Sequence, residues 1–179
     1  GGTFRNKMYP EYKANRKETP QLVIDSLEPL MELCKALNIP TLMLKGFEAD
    51  DVIGSMAKRC AGEGLDVYMV TPDKDYGQLV RDNVFIWQYK PGKGGFDNEI
   101  IGVKEVCEKY GIQSPGQVID MLTICGDTAD NVPGVKGVGE VGAGRLVAKF
   151  GSVEEIYKHL DELTPPQKTQ FEEARDHIG

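Results

Sequence analysis

The sequence predicts an α/β protein: an incomplete parallel sheet with flanking helices, followed by a helical subdomain. Three observations carry this. Strand-length apolar runs alternate with helical-period segments up to about residue 112. Acidic clusters sit at the carboxyl ends of two of those runs, where open α/β sheets place their sites. Beyond residue 112 only helical patterns remain, two of them joined by a glycine-rich stretch.

Residues 1–17 hold Arg5, Lys7, Lys13, Arg16 and Lys17 against Glu11 alone, interleaved with Phe4, Tyr9 and Tyr12. A basic arm of this kind suits phosphate neutralisation with base stacking; a solvated terminus is the equal alternative. Thr19-Pro20 reads as the cap and first position of a helix through Leu37, with a kink or break expected at Pro29. Thr41–Leu44 reads as a strand, broken by Gly46. A helix follows from Ala49 to about Ala61, with Val52, Ile53, Met56, Ala57 and Cys60 on its apolar face. Residues 66–70 form the next strand, 76–80 a short helix, and Val84–Tyr89 a third strand. Pro91–Gly95 reads as a hairpin or mobile loop, after which no further strand is expected. Helices are expected at 103–110, closed by Gly111, at 115–125, at 141–150, at 153–160 and from Pro165 onward.

The net charge of −7 argues against nucleic acid only as a sum, because the basic arm concentrates the opposite sign. Hydrophobic residues make up 40% of the chain, and no apolar run reaches membrane-spanning length. With no secretory leader pattern, the expected compartment is cytoplasmic. Cys34, Cys60, Cys107 and Cys125 are widely spaced, which favours reduced, packed thiols over zinc ligands or disulfides.

Glu48, Asp50 and Asp51 lie at a strand-to-helix junction. A helix N-terminus stabilises one such acid as a cap, but three repel one another unless a cation compensates. Asp73 and Asp75 follow the strand at 66–70, and Asp127 and Asp130 follow the helix at 115–125. Taken alone, 126–131 is a polar loop whose Asp and Asn bond their own backbone. Beside two other acidic clusters it becomes a candidate wall of a metal site. Oxygen ligands without His or Cys point to magnesium or manganese, and two such ions clamp the attacking and leaving oxygens of a phosphodiester.

Gly137, Gly139 and Gly142 formally spell G-x-G-x-x-G, but residues 130–133 are no strand, so a dinucleotide site is rejected. A glycine hairpin between helices fits better. Its amides can meet a DNA phosphate, helped by Lys136, Arg145 and Lys149, in a contact blind to base sequence. A plain helix–helix turn is the alternative.

Together, Thr3-Phe4-Arg5, Tyr12-Lys13-Ala14-Asn15-Arg16, 48–53, 71–75, 126–131 and 133–139 resemble the 5′-nuclease domain of bacterial DNA polymerase I, within the flap endonuclease superfamily. The resemblance implies a PIN/5′-nuclease-like core with a helical arch, a two-metal carboxylate site and a helix-hairpin-helix element that grips duplex DNA and holds potassium. It implies Glu48, Asp50, Asp51, Asp73, Asp75, Asp127 and Asp130 as metal ligands. It also implies that Arg5, Lys13 and Arg16 engage substrate, with Arg5, Lys13 and Asp73 catalytic. The implied division is a basic arm at 1–17, part of the arch, a nuclease core at 18–112 and a helical subdomain at 113–179. It further implies a fragment of a longer polymerase lacking the first β-α unit and two metal ligands. Glu140-Val141-Gly142 replaces the usual Lys and Thr after the Glu. The implied reaction is hydrolysis of DNA with a 5′ flap or nick. Two other readings stand beside it: a DNA-binding module whose acids are structural, and an α/β phosphatase or nucleotide-binding protein, which leaves the glycine hairpin unexplained.

Overall fold

The computed structural model describes residues 2–92 and 95–178. The chain divides into two compact units, Gly1–Val52 with Ala129–Asn131, and Ile53–Thr128 with Val132–Gly179.

The first unit contains α1 (Phe4–Met8), α2 (Gln21–Ala36) and the opening of α3 (Ala49–Gly62). Helix α2 begins one residue later than expected, with Pro20 at its cap position, and it runs unbroken through Pro29. Proline removes one backbone donor and crowds the preceding turn, yet the remaining helical bonds hold the segment together. The strand expected at 41–44 does not form: these residues carry no strand pairing, and Met43 is 84% exposed. An apolar run of strand length becomes a strand only when a neighbour takes up its N–H and C=O groups. Helix α2 is likewise without a buried residue, Leu22 being 81% exposed.

The second unit holds a mixed three-stranded sheet in the order β1 (Val67–Val70), β2 (Val84–Gly92), β3 (Gly95–Ile101). Strands β1 and β2 are parallel, Val67 pairing with Val84, whereas β2 and β3 are antiparallel, Ile86 pairing with Ile101 and Gly92 with Gly95. The α/β class holds, but the all-parallel sheet is corrected, as is the expectation that strands end at residue 89. Asp97, Asn98 and Glu99 gave β3 too polar a pattern to be read as a strand. It pairs at the sheet edge, where polar residues are tolerated, and Lys90 and Glu99 form an ion pair. The turn residues Lys93 and Gly94 of the expected hairpin lie outside the described residues.

Between β1 and β2 the chain makes a 3-10 helix, Lys74–Leu79, where a short helix was expected at 76–80. The side chain of Asn83 ties the crossover at its base, donating to the carbonyls of Ala61 and Leu65 at 3.0 Å each. Five helices follow: α4 (Val103–Tyr110), α5 (Val118–Cys125) behind a 3-10 turn at Pro115–Gln117, α6 (Glu140–Phe150), α7 (Val153–Lys158) and α8 (Pro165–Ile178). Gly111 closes α4 as expected. One contiguous core joins the sheet to these helices, from Val84 and Ile86 through Val106, Val118 and Ile124 to Val147, Ile156 and Phe171. The four cysteines are free and half-buried, as their spacing led us to expect. No helix among the described residues is long and apolar enough to cross a membrane.

Candidate functional site

In the first unit the acids and the basic arm meet. Helix α3 opens with Asp50 and Asp51 in its first turn, and the Asp51 carboxylate accepts the Glu48 N–H at 2.9 Å, a side-chain cap that fixes both residues. Arg5 forks onto the same carboxylate, both N–H···O distances being 2.7 Å. The Arg5 guanidinium therefore holds the Asp51 carboxyl below the usual carboxylate range, and Asp51 in turn raises Arg5. Asp50 is exposed.

Tyr12 is the buried centre of this unit, 8% exposed. Its hydroxyl stands 2.8 Å from Glu48 Oε2 and 2.9 Å from Asp130 Oδ2. A phenol has one proton, so it donates to one carboxylate at a time and the second contact is oxygen to oxygen. Lys13 Nζ relieves the excess charge, 2.8 Å from both Glu48 oxygens and 3.5 Å from Asp130, while Arg16 pairs with the other Asp130 oxygen. Burial and the two carboxylates push the Tyr12 phenol well above its ordinary pKa. Lys13 adopts a left-handed backbone, φ 59°, while its N–H donates to the Asp130 carbonyl at 2.8 Å. A lysine in that region costs about 1 kcal/mol or more, so the surrounding bonds select the conformation. Three carboxylates, Glu48, Asp51 and Asp130, thus face three cations, Arg5, Lys13 and Arg16, around one phenol.

In the second unit the acids are placed by loop geometry. Asp73 caps the 3-10 helix, accepting the Asp75 N–H at 2.9 Å, and its own N–H donates to Thr71 Oγ1 at 3.1 Å. Asp127 and Val132 exchange two backbone hydrogen bonds, 2.8 and 2.7 Å, closing the loop between them. Below that loop the chain is pinched. A Cβ on Gly134 would lie 2.3 Å from the Gly126 nitrogen, so part of the glycine content serves close backbone packing. Val135, 2% exposed, anchors the following hairpin through its N–H to Ile124 O at 2.7 Å. Gly137 takes a left-handed φ of 84°, and Gly139 is the extended cap residue of α6. Lys136 and Arg145 are exposed and have no acidic partner among the described residues. Lys149 is engaged by Glu162 at 3.1 Å, so it is less free than the sequence suggests.

Among the described residues no three of His, Cys, Asp and Glu gather closely enough to hold a metal ion by themselves. The candidate ligands are oxygen donors without His or Cys, the chemistry of a hard cation, but the point on which Glu48 and Asp130 converge is the Tyr12 hydroxyl. From sequence, Tyr12 is an aromatic of the arm and the first residue of the Tyr12–Arg16 motif, with no role of its own at the acids. Its burial between two carboxylates distant in sequence leaves no local signal beyond its place next to Lys13.

A small mixed sheet, a helical half with a glycine hairpin and an acid cluster laced with arm cations make this an α/β protein with a charged candidate site. The family described as 5′-3′ exonuclease, N-terminal resolvase-like domain, matches residues 1–111, and 5′-3′ exonuclease, C-terminal SAM fold, matches residues 113–179. The chain belongs to the 5′-3′ exonuclease family. It is 38% identical over 176 residues to the DNA polymerase I of Chloroflexus aurantiacus, covering 98% of this chain and 19% of that protein. It is 40% identical over 161 residues to the 5′-3′ exonuclease of Buchnera aphidicola subsp. Acyrthosiphon pisum, covering 90% of this chain and 54% of that one. The chain therefore spans about a fifth of the first relative and about half of the second. Among solved structures it resembles a T5 protein co-crystallised with metal ions, with TM-score 0.80 and 25% identity over 99% of this chain and 69% of that one.

Proposed function

We propose that this chain contributes metal-dependent hydrolysis of DNA phosphodiesters at 5′ ends and 5′ flaps, as the 5′→3′ exonuclease or flap endonuclease portion of a DNA polymerase I in replication and repair. The observation that carries the reading is the convergence of Glu48, Asp51 and Asp130 on Arg5, Tyr12, Lys13 and Arg16. Cations held on acids can exchange to an incoming phosphodiester, which offers the same oxygen geometry. Arg5 and Lys13 then offset charge on the phosphoryl oxygens, and Arg16 holds the adjoining backbone. Tyr12 bridges Glu48 and Asp130 through its hydroxyl and sets their separation.

The proposed metal ligands are Glu48, Asp50, Asp51, Asp73, Asp75, Asp127 and Asp130, with Asp73 also catalytic. Bound magnesium or manganese supplies activation of the attacking water and neutralisation at the leaving oxygen. The T5 protein's metal ions and the oxygen-only donor set support this assignment. The glycine hairpin, with Lys136, Gly137, Gly139 and Arg145, is proposed to hold duplex phosphate, and its carbonyls a potassium ion. The polymerase domains of the relatives are the proposed partners in the parent chain.

The test is cleavage of a labelled 5′-flap DNA in magnesium and then manganese, with Asp130→Asn and Glu48→Gln beside the wild type. We expect cleavage to fall at least about a hundredfold in each variant. Intact cleavage by both would refute the assignment. A second reading, a DNA-binding module without catalysis, is favoured by the absence of a three-acid cluster among the described residues. It predicts salt-sensitive flap binding with no cleavage in either metal.

A further inference from the structure

At the junction of α4 and α6 the proposed function assigns Arg145 alone and gives no role to Lys109 or to the space between the helices. Gly144 brings the two helices together, since a Cβ there would lie 2.5 Å from the Tyr110 carbonyl oxygen. Beside that contact opens a cleft of 340 Å³ walled by Lys109, Tyr110, Val141, Gly144, Arg145 and Ala148. Its charge is positive. Glu140, also on the wall, is neutralised by an ion pair with Lys74. Arg145 has no acidic partner among the described residues, and the only contact shown for Lys109 is with the face of the Tyr110 ring, at 4.9 Å.

The remaining wall is apolar. Val141, 70% exposed, Arg145 and Ala148 recur at helical spacing on one face of α6. Two unpaired cations beside a shallow apolar surface match the alternation of phosphate and deoxyribose along a nucleic-acid strand. They match a free nucleotide base poorly, because Lys109 already covers the Tyr110 ring. Arg145 lies six residues beyond Gly139, about 9 Å along the helix at 1.5 Å per residue. That is roughly two to three nucleotides of B-DNA rise, within reach of the strand gripped by the hairpin.

We propose that this cleft seats one phosphodiester of bound DNA, Lys109 and Arg145 sharing its charge and Val141 and Ala148 covering the adjoining sugar. The proposal rests on the reading of the chain as a DNA-binding nuclease. It adds Lys109 and the cleft itself to the footprint of the hairpin.

Fluorescence anisotropy of a labelled flap duplex, without divalent metal and across a salt series, tests it. For Lys109→Ala/Arg145→Ala the slope of log affinity against log salt should fall in magnitude by about 0.9, the release of one phosphate's counterions. Lys109→Ala alone, on which the hairpin reading is silent, should give about half of that fall; no fall in Lys109→Ala would overturn the cleft. Lys168→Ala, the loss of one charge at an exposed position of α8, should leave the slope as in wild type. Val141→Asp, which puts a carboxylate in the cleft, should weaken binding at low salt at least as much as the double variant. An unaltered slope in the double variant while Lys136→Ala lowers it would overturn the cleft and leave DNA binding standing. A loss of the same size in Lys168→Ala would overturn it as a net-charge effect. Inorganic phosphate, at ionic strength matched with chloride, should compete with DNA more strongly in wild type than in the double variant; equal competition in both would overturn the cleft. Wild type without salt-dependent binding would instead sink the nuclease reading, and the cleft with it.

Discussion

Replacing Tyr12 by Phe removes one oxygen and leaves the ring in place, so the change in stability isolates the shared hydroxyl. That hydroxyl contacts Glu48 at 2.8 Å and Asp130 at 2.9 Å, but its single proton makes only one charge-assisted hydrogen bond at a time. Such a bond contributes about 1.5–3 kcal/mol net. Lys13 remains 2.8 Å from Glu48 after the substitution, so the carboxylates are not left bare and the lower part of that range applies. We expect a loss of about 1.5–2 kcal/mol at pH 7, a fall in Tm of roughly 3–8 °C for a chain of this size. Urea unfolding followed by circular dichroism measures it. The pH dependence adds a second readout. The folded phenol is raised above its unfolded value of about 10, so its stabilisation is fully present below that pH and is lost as pH rises through the folded value. The difference between wild type and Tyr12→Phe should be level from pH 7 to 9 and shrink above pH 10. A loss below about 0.5 kcal/mol, the range of an ordinary surface change, would refute the shared phenol as a support of the site.

Three further substitutions test the pairing of Arg5 and the packing of the second unit. Arg5→Gln should cost about 1 kcal/mol at neutral pH, a value tempered by partial exposure of the pair. Because Asp51 is depressed in the folded protein, this contribution is present above the unfolded carboxyl value near 3.9 and is lost as pH falls through the folded one. Thermal melts between pH 2 and 7 should therefore show wild type and Arg5→Gln converging at the acid end; a gap that widens there would contradict the pairing. Gly134→Ala drives a methyl to 2.3 Å from backbone and should cost about 3 kcal/mol or more. Gly62→Ala, with nothing within 4 Å, should be neutral or slightly stabilising in the same melt.

Local chemistry was legible in the sequence. The 3.6-residue period placed α3, α4, α5 and α6 within a few residues, Gly111 marked the end of α4, the acids at 48–51 stood out by charge density, and those at 73–75 and 127–130 gained weight from standing beside them. These signals act within a few residues along the chain, which is why one sequence carries them. Pairing did not have that property. The run at 41–44 has strand composition but no partner, whereas 95–101, with the polar centre Asp97-Asn98-Glu99, forms β3 because β2 lies beside it. A strand is defined by its neighbour, and no period in the strand itself reveals one.

The same division holds at the candidate site. The sequence determined that acids, a cationic arm and a glycine hairpin are present in this order. Only the tertiary structure decided that Arg5 forks onto Asp51, that one Tyr12 hydroxyl serves both Glu48 and Asp130, and that Lys149 is taken by Glu162 while Lys136 keeps no acidic partner among the described residues. The physical reason is separation along the chain. Tyr12 and Asp130 are 118 residues apart, and a hydrogen bond across that distance exists only after the backbone has folded to close it.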